Sequence, residues 1–250
     1  MTFFVLNLLK ILSKYYVIMK KSKRLELICE KVRDISLRLG KTPSLIDVGC
    51  DHGILGKMLL DEQVLSSLIE SDISEKCLEK AKKLLFEKND VVSFRVGDGL
   101  KVLLPGEFVD VAVIAGMGGR EIAKIIRDKV KVSQIGYLLL QTATDDLEII
   151  REIRLNGFEV VFDNLLLENG HLYRTIVIDT TNKQKFDNTY YYYGKDNKKN
   201  SAETDFEIKR LQSVKENIIG GFDEQSISKS ASQKIAEIDA RLDCIKNNYL

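Results

Sequence analysis

The fold of this chain is decided by the stretch Leu45-Ile46-Asp47-Val48-Gly49-Cys50-Asp51-His52-Gly53. An apolar run ends in Asp-Val-Gly, a short polar turn follows, and Gly53 opens a second apolar run with helical spacing. This pattern predicts a strand, a tight turn and a helix, with glycine where the backbone must pass close to a ligand. Many nucleotide-binding turns share the pattern, so it does not identify the ligand by itself.

Three later apolar runs also end in acidic or glycine-rich turns. The turns are Ser71-Asp72, Gly97-Asp98-Gly99 and Ala115-Gly116-Met117-Gly118-Gly119. Strands are predicted at 44–49, 66–71, 91–96, 109–115 and 135–141, and helices at 53–62, 74–88, 118–130 and 144–156. Short apolar strands that alternate with amphipathic helices indicate an α/β fold with a parallel sheet covered on both faces.

The segment that follows predicts a change of strand direction. Two strand-like runs, 158–167 and 171–179, flank Glu168-Asn169-Gly170, and an Asn-Gly pair favours a hairpin turn. Five parallel strands followed by an antiparallel hairpin differ from the plan of dinucleotide dehydrogenases. The order resembles that of the class I S-adenosylmethionine-dependent methyltransferases, which have a Rossmann-like sheet.

The domain organisation follows from shifts in composition. Residues 1–18 are predicted to be a disordered or upstream-start extension, because Met19 before Lys20-Lys21 resembles an ordinary start. The alternatives are a helix packed on the core and, last, a membrane or targeting role, since the apolar run is too short to span a bilayer. Residues 19–180 form the predicted methyltransferase domain, and 181–204 a polar linker. Residues 205–250 carry two apolar repeats of helical spacing around Gly220-Gly221, which predict an antiparallel helical hairpin.

The composition excludes some classes of protein. The net charge is +1, and Cys29, Cys50, Cys77 and Cys244 form no CxxC pair, so neither a disulfide framework nor a metal site is expected and the cytoplasm is the default compartment. The stretch from Lys10 to Arg38 contains nine basic and three acidic residues. This excess suits either a solvated helix face or contacts to a phosphate backbone.

The acidic turns suit S-adenosylmethionine, which has a ribose diol and an adenine but no pyrophosphate. Asp72 is positioned to accept both ribose hydroxyls, as the acidic residue of dinucleotide folds does. Asp98 is positioned to accept from the adenine amino group, and Gly49 lets the backbone approach the amino-acid end. Helix capping is the alternative role for both carboxylates, and NAD is the competing ligand.

The motifs Asp47-Val48-Gly49-Cys50-Asp51-His52, Gly97-Asp98-Gly99-Leu100 and Ala115–Gly119 together resemble the TrmK family. These bacterial enzymes methylate N1 of adenine 22 in tRNA. Lys23-Arg24-Leu25, the run 155–159 and Leu172-Tyr173 match the family too, and the resemblance covers roughly residues 20–180. It implies S-adenosylmethionine as cofactor and tRNA as partner. Apart from the resemblance, no membrane association is expected, and a monomer is the favoured state.

The expected site residues follow from these motifs. Those expected to bind the cofactor are Asp47, Gly49, Cys50, Asp72, Ile73, Asp98, Gly99, Gly116, Met117 and Gly118. Those expected to act in catalysis are Asp51, His52 and Gln141, and those expected to contact RNA are Lys23 and Arg24.

Adenine N1 has a free lone pair, so positioning matters more than a strong base. Asp51 is expected either to stabilise the developing cation or to hold the cofactor's amino-acid end. His52 either contacts the base or supports the turn, and His171 is expected at the surface. Tyr190–Tyr193 either stack on bases or anchor the helical hairpin, and Lys195–Lys199 are candidate phosphate contacts.

One departure from the family lies after the fifth strand. The family shows Gln-Pro-Asn, whereas this chain has Gln141-Thr142-Ala143-Thr144. The rigid proline and the amide are therefore missing. Two alternatives follow: a methyltransferase for another RNA or a small molecule, and an RNA-binding protein with reduced catalysis.

Overall fold

A computed structural model describes residues 22–88, 90–183, 193–221 and 228–249. Within these residues one mixed sheet has the strand order β3-β2-β1-β4-β5-β7-β6. The strands are β1 (Ser44–Val48), β2 (Ser67–Asp72), β3 (Val92–Val96), β4 (Val109–Ala115), β5 (Ile135–Thr142), β6 (Phe158–Glu168) and β7 (His171–Lys183). The first five are parallel, and β7 runs antiparallel to both β5 and β6. This confirms the predicted fold class.

The helices lie between and after the strands. They are α1 (Lys23–Leu39), α2 (Ile54–Asp61), α3 (Glu75–Leu84), α4 (Gly119–Ile126), α5 (Lys129–Val132), α6 (Asp146–Asn156), α7 (Ala202–Gly220) and α8 (Lys229–Tyr249), with short 3₁₀ turns at Phe86–Lys88 and Gly99–Val102. Among the helices of the described part of the chain, none is long and apolar enough to cross a membrane.

Two predicted helices were too long. The helix predicted over 74–88 ends at Leu84 and continues as a 3₁₀ turn. The helix predicted over 118–130 is divided into α4 and α5, because the Asp128 side chain accepts a hydrogen bond from the Lys131 amide at 3.1 Å and starts a new helix there.

The β6–β7 hairpin turns at Asn169-Gly170, as predicted. Both residues have positive φ angles, 51° and 75°, and Glu168 pairs with His171 across the turn. Such a turn matches the right-handed twist of its two strands. The antiparallel hairpin therefore extends the sheet beyond β5, with β7 next to β5 and β6 at the edge.

Both faces of the sheet are covered. Ile28, Val32 and Ile35 of α1 are buried with α2 on one face, and Ile122 and Ile149, on α4 and α6, are buried on the other. The apolar spacing of the first helix thus identified its buried side, and Gly40 ends that helix with a φ of 64°.

The two C-terminal helices pack on the hairpin strands. Leu165 and Leu172 share an apolar cluster with Leu211 and Ile245. Tyr193 is fully buried in this cluster, and its hydroxyl lies 3.0 Å from Thr204 Oγ1, so this tyrosine anchors the helices. Residues 190–192 and the extension 1–18 lie outside the described residues. The proposed boundaries at 181–204 and 205–250 stay predictions.

Candidate active site

A cavity of about 410 Å³ lies at the carboxyl ends of β1 to β4. In open parallel sheets, ligands bind where neighbouring strands lead to opposite sides of the sheet, and here that point lies between β1 and β4. The lining residues are Val48, Gly49, Asp72, Ile73, Gly97, Asp98, Gly99, Leu100, Lys101, Ala115, Gly116, Met117, Glu121, Lys124, Ile125 and Asp128. Seven of the ten residues expected to bind the cofactor are among them; Asp47, Cys50 and Gly118 are not.

The lining is acidic. It contains four carboxylates, on Asp72, Asp98, Glu121 and Asp128, and two ammonium groups, on Lys101 and Lys124. This difference of two negative charges favours a cationic ligand and disfavours a pyrophosphate.

The backbone amides of the turn after β1 donate hydrogen bonds to acceptors within the protein. The amides of Gly49 and Cys50 both donate to the carbonyl of Ser71, at 2.8 and 3.0 Å, and the Asp51 amide donates to Asp72 Oδ2 at 3.1 Å. In a dinucleotide site these amides would face phosphate oxygens. Their internal bonds therefore remove the main donors that a pyrophosphate would need.

Gly49 is required for steric reasons. Its φ is 76°, a conformation that side chains rarely adopt, and a Cβ built there would lie 2.7 Å from Cε of Met117. The tip of Met117 thus lies against the Gly49 backbone at the cavity wall. The turns after β1 and β4 contact each other at this point.

Asp72 lies at the cavity wall at the end of β2. Its Oδ1 accepts the Ser74 amide at 2.8 Å, and its Oδ2 accepts the Asp51 amide at 3.1 Å. The helix cap of α3 is Ser74 itself, which accepts from the Cys77 amide. A carboxylate has about four acceptor positions, so Asp72 orders the turn and keeps capacity for a diol.

Asp98 lies across the cavity from β1. Its carboxylate forms an ion pair with Lys101 at 2.6 Å, and this hydrogen bond lowers the pKa of Asp98. Both side chains are exposed, so the pair is easily rearranged by a ligand. Ile73 is 76% exposed at the rim beside Asp72, which leaves an apolar surface for a flat ring.

Two acidic side chains are buried beneath the first turn. Asp47 and Glu70 are neighbours in the β1–β2 register and are 5% and 0% exposed. Burial, and secondly the charge of Asp72, raise the pKa of Asp47 from 3.8 to about 7. Burial and the charge of Asp47 also raise the pKa of Glu70. Asp47 is therefore buried beneath the turn and lies outside the cavity lining.

Cys50 lies with this acidic pair. It is 7% exposed, and burial together with the charge of Glu70 raises the pKa of its thiol. A Cβ at Gly56 of α2 would overlap a carboxylate oxygen of Glu70, so the helix packs tightly on the same group. Cys50 therefore helps to fill the space beneath the first turn, like a small apolar side chain.

Asp51 and His52 lie on the turn beside Asp72, outside the cavity lining. His52 Nδ1 is 2.7 Å from Asp51 Oδ2, and the Cys77 thiol is 3.4 Å from Asp51 Oδ1. Asp51 also has a positive φ of 50°. The contact to Asp51 fits the alternative in which His52 supports the turn. Both roles expected for Asp51 stay predictions.

The chain is similar to known methyltransferases in sequence. A family model described as a methyltransferase domain matches residues 21–176, which is more than half of the chain. The chain belongs to this methyltransferase family. A Mycoplasma pneumoniae protein named "Putative tRNA methyltransferase" is 32% identical over 146 residues, 58% of this chain and 67% of the relative. A Mycoplasma genitalium protein of the same description is 28% identical over 64% of this chain and 71% of its own length.

Solved structures share the fold. M. capricolum TrmK, in complex with S-adenosyl-homocysteine, has a TM-score of 0.76 at 18% identity, covering 90% of this chain and 98% of that one. The B. subtilis M1A22 tRNA methyltransferase TrmK has a TM-score of 0.66 at 23% identity, with 90% and 97% covered. The methyltransferase therefore has the same arrangement of strands and helices along nearly its whole length.

Gln141 was expected to act in catalysis, but its side chain lies outside the cavity. Its side chain is 1% exposed, and its Nε2 donates to Thr175 Oγ1 at 2.9 Å and to the Arg24 carbonyl at 3.2 Å. It is absent from the cavity lining because its side chain faces α1. Gln141 of the methyltransferase therefore holds the start of α1 on the sheet.

The two residues expected to contact RNA lie at that same start of α1. Lys23 is exposed. The Arg24 guanidinium lies over the Tyr173 ring at 5.5 Å, and the Arg24 amide donates to Glu168 at 3.2 Å. His171 is exposed, and its ring lies 6.5 Å from that of Tyr173. These side chains form one polar and aromatic edge beside the carboxyl end of β5 and the start of β7.

The sequence interpretation missed one wall of the cavity. Glu121, Lys124, Ile125 and Asp128 follow the glycine turn at spacings 3, 1 and 3, which is one face of a helix. That spacing was readable in the sequence and would have predicted the wall. In the described part of the chain, no group of three His, Cys, Asp or Glu side chains could hold a metal ion.

Proposed function

We propose that the chain is a tRNA methyltransferase that transfers the methyl group of S-adenosylmethionine to N1 of an adenine, adenine 22. The observation that carries the proposal is the acidic cavity, whose glycine turn has its amides bonded internally. The names of the Mycoplasma relatives support tRNA as the substrate. Their names do not give the modified position, which comes from TrmK structures.

The residues present fit the cofactor. Asp72 would accept the ribose hydroxyls, and Asp98 would accept from the adenine amino group once Lys101 moves aside. The backbone at Gly116 leaves room for the amino-acid end, since nothing lies within 4 Å of the position that a Cβ would take there. When bound, S-adenosylmethionine supplies an electrophilic methyl group on a cationic sulfonium, and the excess of carboxylates suits that charge.

The chain's own task in catalysis is mainly alignment. Adenine N1 has a free lone pair near neutral pH, so a strong base is not needed. The base becomes cationic as the methyl group transfers, and a nearby carboxylate favours that change. Asp51 is the proposed carboxylate, with His52 bonded to it at 2.7 Å.

The RNA is proposed to reach the cavity across the edge formed by Lys23, Arg24 and Tyr173. Lys23 offers a charge to a phosphate, and the Tyr173 ring offers a stacking face. The segment Lys195–Lys199 precedes α7 and lies beside β6. Lys195 donates to the Val160 carbonyl of β6 at 2.6 Å. The enzyme is proposed to act as a cytoplasmic monomer.

The test is methyl transfer to unmodified tRNA from labelled S-adenosylmethionine, followed by digestion to nucleosides. N1-methyladenosine is expected from wild-type tRNA, and no product from a transcript with guanosine at position 22. Asp72→Ala protein is the negative control for the cavity. Label in another nucleoside, or unchanged labelling of the guanosine transcript, would overturn the assignment of the position. Labelling of neither tRNA nor total RNA would overturn RNA as the substrate.

A further inference from the structure

The loop Thr142–Asp145, here called the β5 loop, contains the residues that depart from the TrmK pattern. Thr142 is 2% exposed. Its Oγ1 lies 3.1 Å from the Met117 carbonyl and 2.8 Å from the Thr144 carbonyl, and it accepts the Thr144 amide at 3.2 Å. A hydroxyl has one hydrogen, which the two carbonyls share. One side chain thus joins the β5 loop to the turn that carries Met117.

The same two segments are in backbone contact. The Gly119 amide donates to the Thr144 carbonyl at 3.0 Å. A Cβ on Gly119 would overlap the carbonyl of Asp145, so a side chain there would push the segments apart. Because Met117 lines the cavity, any movement of the β5 loop is passed directly to the cavity wall.

The far end of the β5 loop is fixed by charge. Asp146 accepts from Arg241 on α8 through both oxygens, each at 3.0 Å, and from Arg174 on β7 at 2.9 Å. Burial alone would raise the pKa of Asp146, but the two arginines hold it well below its ordinary value. The loop is thus anchored at Asp146 and, through the pairing of β5 with β7, at Thr142. The Thr142 hydroxyl therefore joins the turn of Met117 to a segment that is fixed at both ends.

We propose that Thr142 is a positioning residue for methyl transfer, whose hydroxyl fixes the Met117–Gly119 turn at the cavity wall. It supplies through hydrogen bonds the rigidity that a proline in this loop would supply through its ring. The expected effect on the rate of methyl transfer rests on the proposed function, whereas the expected effect on the position of the turn does not.

The test compares Thr142→Val, which removes the hydroxyl at nearly constant shape, with Thr142→Ser, which retains it. Thr180→Val is the matched control, because the Thr180 hydroxyl also bonds to backbone carbonyls, those of Ile135 and Gly136, at the opposite end of the sheet. The single-turnover rate should fall about tenfold in Thr142→Val, as expected for one lost hydrogen bond, with KM for tRNA within about twofold. Thr142→Ser should recover most of the rate, and Thr180→Val should retain it.

Hydrogen exchange gives a second readout that needs no substrate. The Gly119 amide, which donates to the Thr144 carbonyl, should exchange faster in Thr142→Val and at the wild-type rate in Thr180→Val. Unchanged exchange would overturn the proposal, even if the protein methylated no tRNA. Faster exchange in Thr142→Val with a wild-type turnover rate, or equal rate losses in the two valine variants, would also overturn it, because the hydroxyl would then be only a stabilising contact.

Discussion

Replacing Gly49 by alanine should damage the cofactor site more than it damages the fold. The backbone at Gly49 has a φ of 76°, and a side chain in that region costs about 1–2 kcal/mol. The new Cβ would lie 2.7 Å from Met117 Cε, whereas carbon atoms pack at roughly 3.5–4.0 Å. The tip of Met117 must therefore retreat by about 1 Å, into or away from the cavity that it lines.

Gly157→Ala is the matched control for backbone strain. Its φ is 64°, it ends α6, and a Cβ there would have nothing within 4 Å. Both variants should lose about 1–2 kcal/mol of unfolding free energy, measured by denaturant titration. Only Gly49→Ala should also bind S-adenosylhomocysteine at least about tenfold more weakly, or about 1.4 kcal/mol, by calorimetry. Equal cofactor affinity in the two variants would refute the assignment of Gly49 to the cavity.

Three further predictions concern carboxylates. Asp72→Ala should weaken cofactor binding by about 1.5–3 kcal/mol, the value of a hydrogen bond to a charged group, and calorimetry on the folded variant would measure it. Asp51→Asn should lower the single-turnover rate at saturating substrates with little change in tRNA affinity, and a loss of cofactor affinity instead would place Asp51 at the amino-acid end. Stability should fall as the pH rises from about 4 to about 7, because folded Asp47, with its raised pKa, retains a proton that the unfolded chain releases.

The pH prediction has an internal control in Asp47→Asn. Each unit of pKa corresponds to about 1.4 kcal/mol, so the change from 3.8 to about 7 amounts to at most roughly 4 kcal/mol. The variant should remove much of the pH dependence and be more stable than wild type above pH 7. Glu70 and Asp163 should contribute to the remaining slope, because burial raises the pKa of both carboxyl groups. Identical pH profiles for the two proteins would show that Asp47 is charged throughout.

The parallel part of the sheet was predictable because its first three strands are each followed by, or end in, a glycine or an acidic residue that suits a ligand-binding turn. Gly49, Asp72 and Asp98 mark three strand ends, and topology alone brings such ends to one edge of a parallel sheet. The Asn169-Gly170 turn likewise admits few conformations, so the change to an antiparallel hairpin was readable. These features depend on local chemistry and on the regular spacing of strands.

The rest depended on contacts between residues far apart in sequence. Gln141 follows the family motif, yet its side chain faces α1 and not the cavity, because alternate residues of a strand face opposite sides. The pairing of Asp146 with Arg241 joins positions 95 residues apart and leaves no periodic signal. The division of α4 from α5 depended on a single capping side chain, Asp128, within a run of otherwise helical spacing.

The acidic cavity is expected to bind S-adenosylmethionine, and a crystal structure with S-adenosylhomocysteine would show the bound position. The ribose hydroxyls should lie on the Asp72 carboxylate, the adenine beside Asp98 and Leu100, and the sulfur should face the turn of Met117. The Asp98–Lys101 ion pair should be opened in that complex. A ligand bound outside this cavity, or one whose ribose makes no contact with Asp72, would show that Asp72 and the cavity do not form the cofactor site.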